Sequence, residues 1–159
     1  MFKIIGIILI LFSFILGIEN SKASDCQKYI GTCDYYLCQE SEYHCGNEGY
    51  FVGYGHHFCS KFFIELEDSL SSSGKLWVNK VALCLQKKME KQNKASSCDT
   101  ISANAYSVHS ECYVEADYCH LTFEDKVKIL KLLKPELIKF KTQKEGLQVF
   151  YGCLKSNLK

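Results

Sequence analysis

The sequence predicts an all-α, disulfide-stapled helical domain with an N-terminal region rich in glycine and tyrosine. Three observations favour this fold class. Ten cysteines all follow residue 25, apolar residues recur at helical spacing from about residue 57 onward, and the alternation typical of strands is scarce. Because no internal repeat or low-complexity linker interrupts this pattern, we expect a single cysteine-rich domain over residues 24–159.

A basic and then apolar leader opens the chain. Lys3 precedes an apolar run from Ile4 to Ile18, and Ser21 and Ala23 supply small residues at a cleavage site. This order is typical of a secretory signal peptide, which we place at residues 1–23. An uncleaved anchor is the alternative, but the run is shorter than the 18 or more apolar residues of a membrane span. We expect a secreted, extracellular protein with no membrane span after signal cleavage.

Expected export decides how the cysteines are interpreted. An even number of cysteines in an exported chain indicates a disulfide framework, whereas in a cytosolic chain it would suggest zinc or redox chemistry. The ten residues are Cys26, Cys33, Cys38, Cys45, Cys59, Cys84, Cys98, Cys112, Cys119 and Cys153. We expect five intramolecular bridges, no free thiol and no disulfide-linked dimer, while a non-covalent dimer is left open.

Charge excludes one class of partner. Residues 24–159 contain 17 lysines and 17 acidic residues, and the chain has no arginine. A neutral chain without arginine lacks the basic surface and the bidentate phosphate contacts of nucleic-acid-binding proteins, so we expect no nucleic acid partner. The lysine-rich stretch 126–144 is interpreted as a solvated helix face, with binding to a membrane surface as the alternative.

Apolar stripes and capping signals predict the helices. The stripes define helices over 58–70 and about 75–92, separated by a loop at 71–74, and a third that begins at Asp99 and carries Cys112 and Cys119. A capping box at 122–125 opens a helix over about 123–134. Pro135 is expected to kink this helix or start a new one, and a last short turn spans 147–154 after Gly146.

The stretch from Cys26 to Cys59 has a different composition. A short helix over about 27–40 is followed by a loop in which glycines alternate with aromatic residues. Tyrosine supplies contact area at low entropic cost, so aromatic residues of this loop are candidates for binding a partner. The candidates are Tyr43, Tyr50, Phe51 and Tyr54.

Helix geometry restricts the disulfide pairing only in part. Cys112 and Cys119 are seven residues apart, which places them two turns from each other along one predicted helix. That rise is too long for a disulfide, so each cysteine must pair with a different element. The remaining pairings stay open on these grounds.

Several segments resemble the stanniocalcin family. Gly74-Lys-Leu-Trp-Val78 followed by Cys84 resembles its motif of glycine, lysine, an aromatic residue, valine and a cysteine six residues on. Cys98-Asp-Thr100, Val108, Glu111-Cys112-Tyr113 and Cys119 are similar to the next segment of the family, including cysteine intervals of 14 and 7 residues. Cys59-Ser-Lys-Phe62 and the step of 34 residues to Cys153 extend the resemblance over essentially the whole mature chain.

The resemblance implies both a pairing and a function. The implied bridges are Cys26–Cys38, Cys33–Cys59, Cys45–Cys98, Cys84–Cys112 and Cys119–Cys153. Stanniocalcins are secreted hormones that act on calcium and phosphate transport and inhibit metalloproteinases of the pappalysin type. The resemblance therefore implies a non-enzymatic, hormone-like signalling or inhibitory protein with an extracellular protein or receptor as its partner. The longer loop from Cys45 to Cys59, the lack of an eleventh cysteine and the lack of a glycosylation sequon depart from the family pattern.

Two other interpretations fit parts of the sequence. A cysteine-rich structural or toxin-like secreted protein would have the same signal, cysteines and aromatic loop. A secreted phospholipase A2 is faintly similar around residues 43–59, but Phe58 follows His57 where that chemistry needs an aspartate. The five histidines lack the spacing of metal ligands. We therefore expect no catalytic residue, no cofactor and no metal.

Overall fold

A computed structural model describes residues 25–92 and 97–156 of the chain, without the side chains of residues 140–142. The predicted signal peptide, residues 1–23, lies outside the described residues. The fold is all-α, as predicted. Its α-helices are α1 (Asp34–Tyr43), α2 (His57–Ser60), α3 (Ser72–Gln92), α4 (Cys98–Glu115), α5 (Phe123–Leu137) and α6 (Phe140–Ser156). Short 3-10 helices occupy Asp25–Tyr29, Glu67–Ser69 and Tyr118–His120.

The glycine-aromatic segment is helical where the sequence predicted a loop. π-Helical turns over Tyr50–His56 and Lys61–Leu66 extend α2 on both sides. Gly55 explains how this segment packs against α1, because a Cβ atom at Gly55 would collide with the ring of Tyr36. The absence of a side chain thus allows the two helices to approach closely. The loop prediction was wrong from Tyr50 onward, because burial of the aromatic side chains favours regular structure there.

The core lies between α3 and α4, with the α2 segment against them. α4 crosses α3 near the Cys84–Cys112 disulfide, with Trp77 in contact with Tyr113 and Lys88 paired with Glu111. Trp77 is 1% exposed and donates its indole N–H to the carbonyl oxygen of Tyr113. Burial of large apolar side chains from both helices is the dominant stabilising contribution here. Side chains from other segments complete this core. Its large, fully buried side chains include Tyr35, Phe51, Trp77, Met89, Ile101 and Ile129.

Local backbone and capping interactions determine where α4 begins and ends. Ser97, and not Asp99, caps α4, and its side chain accepts a hydrogen bond from the Thr100 amide. α4 then ends at Glu115, because Asp117 adopts the left-handed conformation with φ of 82°. Cys119 therefore lies in the following 3-10 turn, and the prediction that it shares a helix with Cys112 was wrong.

The start of α5 is held by two polar contacts. The Thr122 side chain accepts from the Asp125 amide, as the predicted capping box requires. Asp125 is 1% exposed and accepts hydrogen bonds from the amide and the hydroxyl of Ser71. Those contacts fix the entry to α3, which begins at Ser72 and includes Gly74, where the sequence predicted a loop.

The C-terminal helices are longer than expected. α5 continues through Pro135 to Leu137, since this proline lies close to the helix end and removes only one helical donor. α6 spans 17 residues and contains Gly146 in its interior, so the predicted short turn over 147–154 was wrong. Contacts between α6 and α4 stabilise α6 despite this glycine, as Ser110 and Gln148 join them by a hydrogen bond.

Five disulfides connect these elements. They join Cys26 to Cys38, Cys33 to Cys59, Cys45 to Cys98, Cys84 to Cys112 and Cys119 to Cys153. These are the pairs that the resemblance implied, and no cysteine is free. Over residues 25–92 and 97–156, none of the helices combines the length and the apolar character that crossing a bilayer requires.

Candidate binding site between α5 and α6

A groove with a volume of about 460 Å³ lies between α5 and α6. Its size falls within the range of small-molecule sites, which span roughly 300–1,000 Å³. Apolar side chains form most of its walls, with a few polar groups at its ends. The lining residues are Tyr54, Tyr113, Tyr118, Cys119, Lys126, Ile129, Leu130, Leu133, Leu137, Glu145, Gly146, Val149, Phe150, Cys153 and Leu154.

Helical periodicity places the two apolar walls. On α5 the lining residues are spaced three and four apart, and Ile129 and Leu133 are buried while Leu130 reaches the rim. On α6 the same spacing brings Val149 and Phe150 to the groove. Val149 is buried, whereas Phe150 is 58% exposed at the opening. The groove is therefore a continuous apolar trough with an open side.

Contacts with the rest of the domain hold the walls in place. Gly152 packs directly against Val114 of α4, where a Cβ atom would lie 2.8 Å from Cγ2 of the valine. The Cys119–Cys153 disulfide ties the C-terminal half of α6 to the turn that follows α4. α5 is fixed at its start by the contacts of Asp125 with Ser71. Because these contacts anchor both helices to other elements, they also fix the width of the groove between the helices.

Tyrosines of the preceding elements line the groove alongside its helical walls. Burial raises the pKa of Tyr113, and the negative charge of Glu145 raises it further. Burial also raises the pKa of Tyr54 and of Tyr118. These phenols therefore stay protonated at neutral pH and keep their O–H donors.

The two ends of the groove differ in charge. At the end near the disulfide, Lys126 donates from Nζ to the Cys119 carbonyl oxygen at 2.8 Å, and its ammonium lies 5.8 Å from the ring centroid of Tyr118. Near the connection between α5 and α6, Glu145 contributes a carboxylate. The groove thus has a cationic end and an anionic end, separated by apolar walls.

Most of the binding residues predicted from the sequence lie in the core of the structure. Tyr50, Phe51 and Tyr54 are 6%, 0% and 8% exposed, so they do not form the exposed contact surface that was expected. Tyr43 is half-buried, with its ring centroid 5.7 Å from that of Phe51. Of the four candidates, Tyr54 alone lines the groove.

His109 lies at the centre of the aromatic cluster. Its ring contacts the rings of Tyr50, Tyr54, Tyr106 and Tyr113. Burial lowers its pKa to about 4, although a hydrogen bond with the Ala105 carbonyl oxygen opposes that shift. The imidazole is therefore neutral at pH 7, with Nδ1–H donating to Ala105 at 2.7 Å. This arrangement stabilises the core and leaves no exposed base at His109.

Cysteines approach carboxylates at two places among the described residues, but neither is a thiolate site. Cys84 and Cys112 lie near Glu115, and Cys26 and Cys38 lie near Glu42. Each cysteine pair is a disulfide, and a disulfide lacks the thiolate that binds zinc. His57, the residue of the phospholipase interpretation, is exposed. Its ring packs edge-to-face on that of Phe58, with the ring centroids 5.0 Å apart.

The sequence does not reveal the groove directly, because the lysine-rich stretch 126–144 predicts a solvated helix face and residues 147–154 predict only a short turn. One signal in the sequence could have indicated it. Val149, Phe150, Cys153 and Leu154 recur at steps of three and four residues, as the apolar stripe of a helix does. Read together with the amphipathic pattern of 123–137, this stripe predicts two apolar helix faces near each other.

Comparison with known proteins gave no match. No protein-family model matches the chain. No curated protein matches it. No solved structure matches it. The geometry of the site and the residues themselves therefore carry the functional argument.

Proposed function

We propose that this chain is a secreted, non-enzymatic, hormone-like signalling or inhibitory protein that acts by binding an extracellular protein or receptor. The observation that carries the proposal is the exposed apolar surface of α6. Leu147 and Tyr151 are 61% and 67% exposed, beside Phe150 at the rim of the groove. Contiguous exposed apolar side chains on a folded domain are typical of interaction sites.

Charge adds a property of the partner. Residues 123–159 contain nine lysines and four acidic residues, whereas residues 24–122 contain eight lysines and thirteen acidic residues. The C-terminal part that presents the apolar surface is thus the basic part of the protein. A partner with an acidic surface around an apolar contact would match it, and electrostatic attraction would accelerate association.

The disulfide framework supports action outside the cell. Disulfides persist in oxidising compartments and are rare in the cytosol. Cys119–Cys153 ties α6 to the rest of the domain, so the apolar surface is ordered before a partner arrives. A preordered surface loses less conformational entropy on binding, which favours affinity.

The kind of signalling is inferred from the resemblance to stanniocalcins. The cysteine order, several of the cysteine intervals and the five pairs support this resemblance, although the Cys45–Cys59 interval is longer. We therefore propose either a role in calcium or phosphate homeostasis or inhibition of a metalloproteinase.

The test is saturable binding of the purified, oxidised protein to intact cells of the producing organism. We expect Leu147→Ser combined with Tyr151→Ser to weaken binding at least tenfold, and added salt to weaken it further. Leu76→Ser is the matched control, because Leu76 is 54% exposed and belongs to α3, a different helix. Equal binding by the double variant and the control would overturn the proposed surface. Calcium-dependent phospholipid hydrolysis that His57→Ala abolishes would favour the enzyme instead.

A further inference from the structure

We propose that the groove between α5 and α6 binds a single-chain amphiphile with an anionic headgroup, of the class of long-chain fatty acids. This inference does not depend on a protein partner, because Leu147 and Tyr151 do not line the groove. It concerns a ligand held by the inner faces of the two helices.

The walls suit a hydrocarbon chain. Ile129, Leu133 and Val149 are buried around the groove, and Leu130 and Phe150 flank its opening. With a volume of about 460 Å³, the groove is large enough for a small molecule. Transfer of an apolar chain from water to such a surface is favourable in proportion to the area buried.

The end near the disulfide suits an anionic headgroup. Lys126 uses one ammonium donor for the Cys119 carbonyl oxygen, and an ammonium has three donors. Lys126 also lies in the first turn of α5, where the helix dipole favours a negative charge. A carboxylate placed there would form a charge-assisted hydrogen bond with Nζ.

The opposite end disfavours the reversed orientation. Glu145 lines the groove there, and its negative charge also acts on the phenols of Tyr54 and Tyr113. A carboxylate at this end would be repelled by Glu145. The charges at the two ends therefore direct the headgroup toward Lys126 and the alkyl chain toward Leu137.

Gly146 provides a position at which the groove can be blocked. A Cβ atom built on Gly146 meets no atom within 4 Å, although this residue lies inside α6 and lines the groove. Glycine destabilises a helix interior relative to alanine, and no close packing at this position requires it. The position therefore accepts a side chain that would project into the groove, which gives a direct means of blocking the site.

The experiment measures binding of laurate and of 1-dodecanol by isothermal titration calorimetry, below the concentration at which either aggregates. We expect Lys126→Gln to weaken laurate binding at least tenfold while 1-dodecanol binding stays within twofold. Lys131→Gln is the matched control, because it removes the same charge from α5 but Lys131 lines a separate depression with Lys61 and Pro135. It should leave both ligands unaffected.

A second pair of variants tests the location. Gly146→Leu should reduce the binding of both ligands at least tenfold, whereas Gly146→Ala should change it less than threefold. Circular dichroism and thermal unfolding confirm that each variant is folded. Laurate binding that survives both Lys126→Gln and Gly146→Leu would overturn the site. Binding to phosphatidylserine vesicles without binding of monomeric laurate would overturn it as well, and would assign the basic apolar surface to membranes.

Discussion

Gly152 of α6 and Val114 of α4 are in direct contact, and this contact sets the distance between the two helices. A Cβ atom on Gly152 would lie 2.8 Å from Cγ2 of Val114, well inside ordinary van der Waals separation. Valine has a stiff χ1, so its side chain cannot easily rotate away. The position of α6, which forms one wall of the groove, therefore depends on the absence of a side chain at Gly152.

We expect Gly152→Ala to lower the free energy of unfolding by about 1–3 kcal/mol, because overpacking forces α6 away from α4. Gly146→Ala is the matched control in the same helix, where the new methyl group meets open space. It should raise the free energy of unfolding by up to about 1 kcal/mol. Urea unfolding followed by circular dichroism compares the two, and equal effects would show that the contact with Val114 is unimportant.

His109 should make stability depend on pH. Its pKa is lowered to about 4 in the folded protein, against 6.5 for the unfolded chain, so the unfolded chain binds protons first as the pH falls. The stabilisation is complete above about pH 6.5 and is lost progressively toward pH 4. Unfolding in urea should therefore be about 2 kcal/mol easier at pH 5 than at pH 7.5. In His109→Gln this difference should largely disappear, and an undiminished difference would assign it to other groups.

Asp125, a buried residue in the first turn of α5, should be important for stability. Burial alone would raise its pKa, but the hydrogen bonds from Ser71 outweigh burial and leave the pKa lowered. The carboxylate therefore stabilises the fold above about pH 4, and this stabilisation is lost as the pH falls through the lowered pKa. Asp125→Ala should cost about 1–3 kcal/mol at pH 7, because it leaves the Ser71 amide without its acceptor.

The control for that substitution is Glu124→Ala, at the neighbouring exposed position. Glu124 forms only an exposed ion pair with Lys128, four residues along the helix. Pairs of this kind contribute about 0.3–0.5 kcal/mol. Thermal unfolding of both variants gives the comparison, and similar losses would mean that Asp125 has no special role.

Removal of individual disulfides should follow loop length. Cys45–Cys98 and Cys119–Cys153 close the longest loops, with separations of 53 and 34 residues. In the chain-entropy model each contributes about 4 kcal/mol, and Cys26–Cys38, with a separation of 12, about 3 kcal/mol. Paired Cys→Ala variants and chemical unfolding measure these costs. Non-reducing electrophoresis should show only the monomer, and a dimer band that collapses on reduction would contradict an intramolecular framework.

Local signals predicted the helical part of this fold well. Thr122 and Asp125 form the cap expected from their spacing, because capping depends on residues three apart in the sequence. The end of α4 could not be foreseen in the same way. It depends on the left-handed conformation of Asp117, which the apolar pattern that continues to Cys119 does not reveal.

The candidate site was predicted poorly for a physical reason. Tyr50 and Tyr54 have the composition of a contact surface, and only the long-range packing against His109 shows that they are core residues. The groove itself depends on the offset between α5 and α6, which is set by the disulfide and by the contact of Gly152 with Val114. Such distances between elements are not encoded in the periodicity of either helix.

The order of the five bridges divides the protein into two covalently closed stretches, residues 26–112 and residues 119–153. Among the first four bridges each overlaps the next in sequence, so every peptide bond between Cys26 and Cys112 is spanned by at least one of them. The fifth spans only Cys119 to Cys153. A single cut within either stretch leaves its pieces covalently joined, whereas one cut between Cys112 and Cys119 leaves α5 and α6 on a separate chain that only noncovalent contacts hold to the rest of the protein. The stretch between Cys112 and Cys119 is thus the one place inside the disulfide framework where a single cleavage would break the covalent connection between the acidic portion of the protein and the basic one.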